Sequence, residues 1–324
     1  MIYMLFDNPK DKKAMRFLKS EIYETSKIQQ EYPQHKCNSI KKMIMACLHG
    51  IKISNDGDTL VCWLDFMGVL CWWFCCLKRK KRKIVILNIL LKEKNTLRNK
   101  TARFLYRKAL QADNVQATVT SKEYGEWVNR LLGINRKYEL LHDIYQERYE
   151  TKNAGQADQQ SVFCGGRNGR DWEFFFQLAE KMPQIRFYCV LTGEKFRQYQ
   201  SRFGNNVHAK CDTTKKEFLE QMCKASLVVM PLETEAPAGL IVLYQAAANE
   251  KPVLISNTVT TREYFQKDNG IFCENTLEDW QKKITYYLEH KWEAEQKAAK
   301  WKQYLETECS EQKYAETLWR ILNQ

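Results

Sequence analysis

Two stretches of this sequence alternate short apolar runs with longer mixed segments, and a polar decapeptide separates them. Apolar runs of roughly four to eight residues read as buried strands, and mixed segments of helical spacing between them read as crossover helices. In the first stretch strands are expected at 2–6, 59–64, 84–91 and 114–121, and helices at 13–19, 39–49, 66–78, 97–111 and 122–132. Residues 138–144 read as a further strand or a loop. Residues 151–160, TKNAGQADQQ, show no periodicity and read as a linker. Beyond it, strands at 161–164, 185–191, 207–210, 227–230 and 252–255 alternate with helices at 171–181, 214–224 and 239–249. From residue 277 the apolar spacing is helical to the end. This alternation predicts an α/β chain of two doubly wound parallel sheets facing a central cleft, with a helical C-terminus. A length of 324 residues supports two cores. The expected boundaries are 1–150, the linker 151–160, 161–300, and a helix over 301–324 that packs back on the first domain.

The strongest hydrophobic segment is 60–77, where sixteen of eighteen residues are apolar, all but Asp65 and Gly68. Lys78, Arg79, Lys80, Lys81, Arg82 and Lys83 follow at once. This has the outline of a membrane span with a basic flank. It falls short of the ~20 residues a span needs, and Asp65 near a bilayer centre would cost roughly 2.5–3.5 kcal/mol. A strand, a helix and a second buried strand explain the segment without a bilayer. Between these readings stands a helix that packs in the protein while Trp72, Trp73 and the basic run touch a membrane surface.

Charge sharpens that picture. The net charge is +12, and the first 150 residues hold all of it, with 28 Lys and Arg against 16 Asp and Glu. The remainder carries 23 of each. The first half is therefore expected to meet an anionic partner. A basic run without a recognition fold supports only unspecific nucleic-acid affinity, so the expected partner is an anionic membrane surface and not nucleic acid. Twelve cysteines lie in apolar runs, as at Cys62, Cys71 and Cys189, with no CxxC or zinc spacing. They read as reduced and buried, and no metal is expected. The first residues read as a strand rather than a secretory leader. The expected location is cytoplasmic, peripheral on the inner face of the cell membrane.

Two segments carry chemistry. Gly165 and Gly166 end a strand, Arg167 and Arg170 follow, and a helix begins. Glycines admit an anion close to the backbone, a helix N-terminus presents free N–H groups, and arginines add bidentate charge for phosphate oxygens. The competing reading is a turn with two solvated arginines. The stretch lacks the GK[ST] ending of a P-loop. The second segment is 231–253, PLETEAPAGLIVLYQAAANEKPV. Gly239, Leu240 and Ile241 open a helix whose free amides suit a diphosphate, and Gln245, about one and a half turns on, suits a ribose hydroxyl. The competing reading is a small-residue helix packed closely on its sheet. Asp7 and Asp65 stand at strand ends, where either would orient an acceptor hydroxyl; the competing reading is a turn or helix N-cap aspartate.

In chain order, Gly-Gly-x-x-x-Arg after a strand, Val-Leu-Thr-Gly, Asn206-Val207, Met230-Pro231, Glu235 and the run from Gly239 to Val253 resemble the C-terminal donor domain of GT-B glycosyltransferases of the group 1, or family 4, kind. The resemblance covers about 160–280; over 1–150 it rests on architecture. It implies two Rossmann-like domains, an acceptor-binding one over 1–150 and a donor-binding one over 161–300. It also implies transfer of a sugar from a nucleotide-diphosphate sugar, with retention and without metal or other cofactor. Arg170 falls where the family places a lysine on the donor diphosphate. Gly165 matches the strand-end glycine, and Arg167 substitutes for an arginine whose place Gly166 holds. The amides of Leu240 and Ile241 match those that cap the diphosphate, and Gln245 matches the second acid of Glu-x7-Glu. Pro237 stands at the first acid's place, so Glu235 is the nearest carboxylate, with Glu233 in reserve. Asp65 and Glu235 are the catalytic candidates. The implied acceptor is lipid-linked or a glycan, in polysaccharide or glycoconjugate synthesis. The departures from the acid pair support a second reading, a non-catalytic GT-B partner that binds or activates another glycosyltransferase.

Overall fold

Six strands of the first half pair in parallel: Ile2–Phe6 (β1), Ser20–Glu24 (β2), Thr59–Cys62 (β3), Lys83–Ile86 (β4), Val115–Val119 (β5) and Glu139–Leu140 (β6), in the order β2-β1-β3-β4-β5-β6. The computed structural model describes residues 1–6, 20–24, 39–91, 93, 95–145, 150, 157–265 and 268–323. The expected helix at 13–19, Asp7 and residues 151–156 of the linker lie outside them. Met4, Leu5, Phe6, Leu60, Val61, Cys62 and Ile84 to Ile86 are fully buried, as central parallel strands covered on both faces require. Helices Ser39–Ile53 (α1), Asp65–Leu77 (α2), Leu97–Leu110 (α3) and Lys122–Leu132 (α4) each touch the next in turn, forming one layer over the sheet. Local chemistry sets their ends. Thr96 and Ser121 accept from Asn99 and Tyr124 amides as N-caps, and Gly133 closes α4 in the left-handed region at φ 62°.

The apolar run 60–77 breaks into β3 and α2 at Trp63 and Leu64. Gly68 lets α2 lie close on the sheet: a Cβ there would stand 2.6 Å from Ile86 Cγ1. Among the described residues no helix is long and apolar enough to cross a membrane. The expected strand 84–91 ends at Ile86. Residues 87–91 form a loop in which Leu87 and Ile89 still donate to the Cys62 and Thr118 carbonyls, while the other amides go to side chains: Asn88 to Thr118 Oγ1 (2.8 Å), Leu90 to Asp65 Oδ2 (2.7 Å) and Leu91 to Tyr124 Oη (2.9 Å).

The second sheet contains Asp158–Gly165 (β7), Arg186–Leu191 (β8), Val207–Cys211 (β9), Ala225–Met230 (β10), Val253–Ser256 (β11) and Ile271–Cys273 (β12). Its order is β12-β11-β10-β7-β8-β9, all parallel, so the winding reverses between β7 and β10. Its helices are Trp172–Lys181 (α5), Gly193–Tyr199 (α6), Lys215–Lys224 (α7), Leu240–Ala248 (α8), Thr261–Tyr264 (α9), Leu277–Glu289 (α10) and Lys291–Glu308 (α11). One core gathers Phe175, Phe176, Phe187 and Trp280, and the other gathers Leu243, Tyr244, Ala247 and Trp301. β7 starts at Asp158, inside the expected linker, where Arg186 and Tyr188 hold the aspartate.

The chain divides into two compact units, Met1–Asp143 with Glu311–Gln324, and Ile144–Ser310. The helical C-terminus is split accordingly. Trp301 and Leu305 are buried in the second unit, whereas Glu311–Leu322 (α12) belongs to the first, with Tyr314 beside Trp63 at 6.2 Å and Arg320 paired with Glu139.

Candidate functional site

Open α/β sheets bind ligands outside the carboxyl ends of their strands, where the winding reverses. In the second unit that point lies between the ends of β7 and β10, which lead into Gly165–Arg170 and into the loop after Met230. The two loops are pressed together. Asp171 N donates to Pro231 O (3.0 Å), Glu233 N donates to Gly169 O (3.1 Å), and a Cβ on Gly169 would stand 2.5 Å from that of Ala238.

Arg170 is at the centre. Its side chain is 4 % exposed. Nε donates to Gly165 O (2.9 Å) and Nη1 to Asn168 O (3.1 Å). Among the described residues no carboxylate pairs with it, and burial disfavours its charge. The guanidinium lies between two glycines in the left-handed half of φ space. A Cβ on Gly166 (φ 128°) would meet Nη2 at 2.7 Å, and one on Gly239 (φ 79°) would meet Nη1 at 2.5 Å. Gly239 is also the N-cap of α8, with no side chain capping the first turn. A buried cation thus faces the positive end of a helix. Such an arrangement favours an anion.

The other expected residues take varied places. Arg167 is exposed on the same turn. Gly165 works through its carbonyl on Arg170, and its missing Cβ makes room for Phe218 at 2.6 Å. Leu240 is buried and Ile241 is 61 % exposed. Gln245 lies one turn beyond Ile241 on the same face, 6 % exposed, and its side-chain amide makes no hydrogen bond among the described residues. Glu235 is a brace: Oε2 accepts from Val259 N (2.7 Å) and its carbonyl accepts from Thr260 Oγ1 (2.8 Å). Ser256 Oγ accepts from Leu232 N (2.9 Å), so the 231–239 loop is also held from the end of β11. The buried Thr258, Thr260 and Thr261 behind this contact were not expected as site residues. Their only signal is a threonine-rich turn directly after a strand.

In the first unit, Asp65 does not point a free carboxylate at solvent. Its oxygens accept from Phe66 N (2.7 Å), Leu90 N (2.7 Å) and Tyr106 Oη (2.6 Å), and burial raises its pKa against those bonds. It fastens the 87–91 loop through Leu90 N, so its carboxylate is engaged at the strand end where an acceptor-orienting role was expected. Arg82 differs from the rest of the basic run. It is 3 % exposed, donates Nε to Ser54 Oγ (2.8 Å) and pairs with Asp56. Lys83 begins β4 and is half-buried. Trp72 and Trp73 are half-buried and pack edge to face at 5.2 Å, as part of the helical layer. Lys78, Arg79, Lys80 and Lys81 are exposed.

Two consecutive doubly wound units of this kind constitute the GT-B fold. Solved structures agree along the whole chain. Sucrose-phosphate synthase from Thermosynechococcus elongatus superposes with a TM-score of 0.77 at 12% identity, over 100% of this chain and 98% of that one. HepE from Anabaena, in complex with UDP-glucose, gives 0.74 at 11% identity, over 100% and 99%. TarM gives 0.67 at 14%, over 89% of this chain and 59% of its own. No curated protein matches by sequence. Residues 167–320 match the family model described as glycosyl transferase-like. That match spans a little under half of the chain, and the solved structures show the same fold over all of it.

Proposed function

We propose that the protein transfers a sugar from a nucleotide-diphosphate sugar, with Arg170 and the first amides of α8 holding the donor diphosphate. The observation that carries this reading is the buried Arg170 guanidinium at an uncapped helix N-terminus, without a carboxylate partner among the described residues. As the glycosidic bond breaks, charge builds on the departing diphosphate, and fixed N–H donors in a water-poor site stabilise it without reorganising. The protein's own cation and amides meet this charge, so we assign the reaction no metal. We assign Gln245, on the same helix, to the ribose, since a neutral amide both donates to and accepts from a hydroxyl. UDP is the first nucleotide to try, since HepE was solved with UDP-glucose. We assign retention of configuration, assisted by the leaving phosphate on the donor's own face, because Glu235 is occupied as a brace. The acceptor is proposed as lipid-linked, met at an anionic membrane surface by the first unit, which holds the whole charge excess.

A second reading has an observation of its own. Gln245 and Pro237 replace the acid pair, and Glu235 is engaged by Val259, which suits a donor-binding partner subunit without turnover. Incubating the purified chain with UDP- and GDP-sugars and following nucleotide release separates the two. Release that is lost in Arg170→Ala supports the transferase. Nucleotide binding without release supports the partner, and neither binding nor release refutes the site.

A further inference from the structure

We infer that the outer face of α3, together with the C-terminal end of α2, is a docking surface for an anionic lipid bilayer. The helix α3 carries Arg98, Lys100, Arg103, Arg107 and Lys108 and no acidic residue. Its exposed positions recur at helical spacing, with Leu97, Lys100, Thr101, Phe104, Arg107 and Lys108 on one face. Two are large apolar residues left in water, Leu97 at 82% and Phe104 at 54% exposure. The neighbouring α2 extends this face. The Trp73 ring lies 6.5 Å from that of Phe104, and one turn on Leu77 is 75% exposed. The basic turn that follows is fixed: the amides of Lys78, Arg79 and Lys80 bond to the carbonyls of Phe74, Cys76 and Cys75.

None of Lys78, Arg79, Lys80, Lys81, Arg98, Lys100, Arg107 and Lys108 makes an ion pair among the described residues. Leu77, Leu97 and Phe104 set among free cations are the composition of a helix lying in a bilayer interface. The apolar side chains enter the headgroup–acyl boundary, and the long cations reach back to lipid phosphates. Nucleic acid would use the charge, but it offers nothing to two exposed leucines. The surface differs from the one expected from sequence, because Arg82, Trp72 and Trp73 belong to the protein's packing. It rests on the membrane reading proposed above, and donor binding is measured separately from it.

The test is co-sedimentation of the full chain with vesicles of phosphatidylcholine alone and of phosphatidylcholine mixed with phosphatidylglycerol. The chain should bind the anionic vesicles at low salt and release at high salt. The triple variant Lys100→Glu, Arg107→Glu, Lys108→Glu should lower vesicle affinity at least about tenfold, since each cation near such a surface is worth about fivefold. Leu77→Ser with Phe104→Ser should weaken it at unchanged charge, whereas Lys216→Glu in the second unit should not. Circular dichroism confirms that each variant folds, and UDP calorimetry reports the donor site independently. Absence of vesicle binding by the unmodified chain overturns the surface, as does unchanged binding by the triple variant. Tighter binding to a DNA oligonucleotide, indifferent to Leu77→Ser and Phe104→Ser, also overturns it. Loss of UDP binding in the unmodified chain, with vesicle binding intact, would instead refute the donor site alone.

Discussion

The Arg170 guanidinium occupies the space that a side chain at position 239 would need: a Cβ on Gly239 would stand 2.5 Å from Nη1 and 2.6 Å from Nη2. One residue ends the turn after β7 and the other starts α8, so this contact brings the two phosphate-binding candidates into one place. Gly239→Ala should therefore damage both stability and binding. The φ of 79° disfavours alanine, and the added methyl displaces the guanidinium. A loss of about 1–3 kcal/mol in urea unfolding is expected, with weaker UDP binding. Unchanged values for both would show that the contact is slack.

Gly68 is a simpler case of close approach. Gly68→Ala puts a Cβ 2.6 Å from Ile86 Cγ1, between α2 and β4 in a packed layer. Overpacking should cost about 1–3 kcal/mol, despite alanine's better helix propensity. Denaturant melts decide it, and a stabilised variant would contradict the packing.

Arg82 and Lys80 belong to one basic run yet should behave differently. Arg82→Ala strands buried acceptors at Ser54 and the partner Asp56, and should cost about 1–3 kcal/mol. Lys80→Ala, at an exposed position, should stay within about 0.5 kcal/mol. Equal effects on the melting temperature would contradict the assignment.

That pair also shows what a sequence hides. Ser54 and Asp56 lie more than twenty positions before Arg82, so six consecutive cations read alike. The alternation of strands and helices was legible because central strands are apolar throughout. β2, with the polar sequence SEIYE, gave no such signal. Residues 87–91 were apolar except for Asn88 and still not strand, since side chains of Thr118, Asp65 and Tyr124 take the amides of Asn88, Leu90 and Leu91. Periodicity cannot distinguish a buried loop from a buried strand. Arg170 stood out as a candidate anion ligand from its place after two glycines. Its burial did not, because Gly239 lies far along the chain.

Asp65 should leave a mark in the pH dependence of stability. Burial holds its folded pKa above the ordinary 3.8, so the folded state keeps a proton that the unfolded state has lost. Its contribution is greatest below pH 3.8 and falls as pH rises through the higher folded value. Melting temperatures of the native chain and Asp65→Asn, taken from acid to neutral pH, should show the native chain's relative stability declining over that range. A parallel pair of curves would contradict it.

The central claim is that Arg170 holds the donor diphosphate, and calorimetry with UDP tests it most directly. The native chain should bind UDP. Arg170→Ala should bind it about ten- to a hundredfold more weakly, as loss of a charged hydrogen bond worth about 1.5–3 kcal/mol requires. Arg167→Ala, at an exposed position, should change it much less. Equal UDP affinity in the native chain and Arg170→Ala, with both folded, would contradict the account.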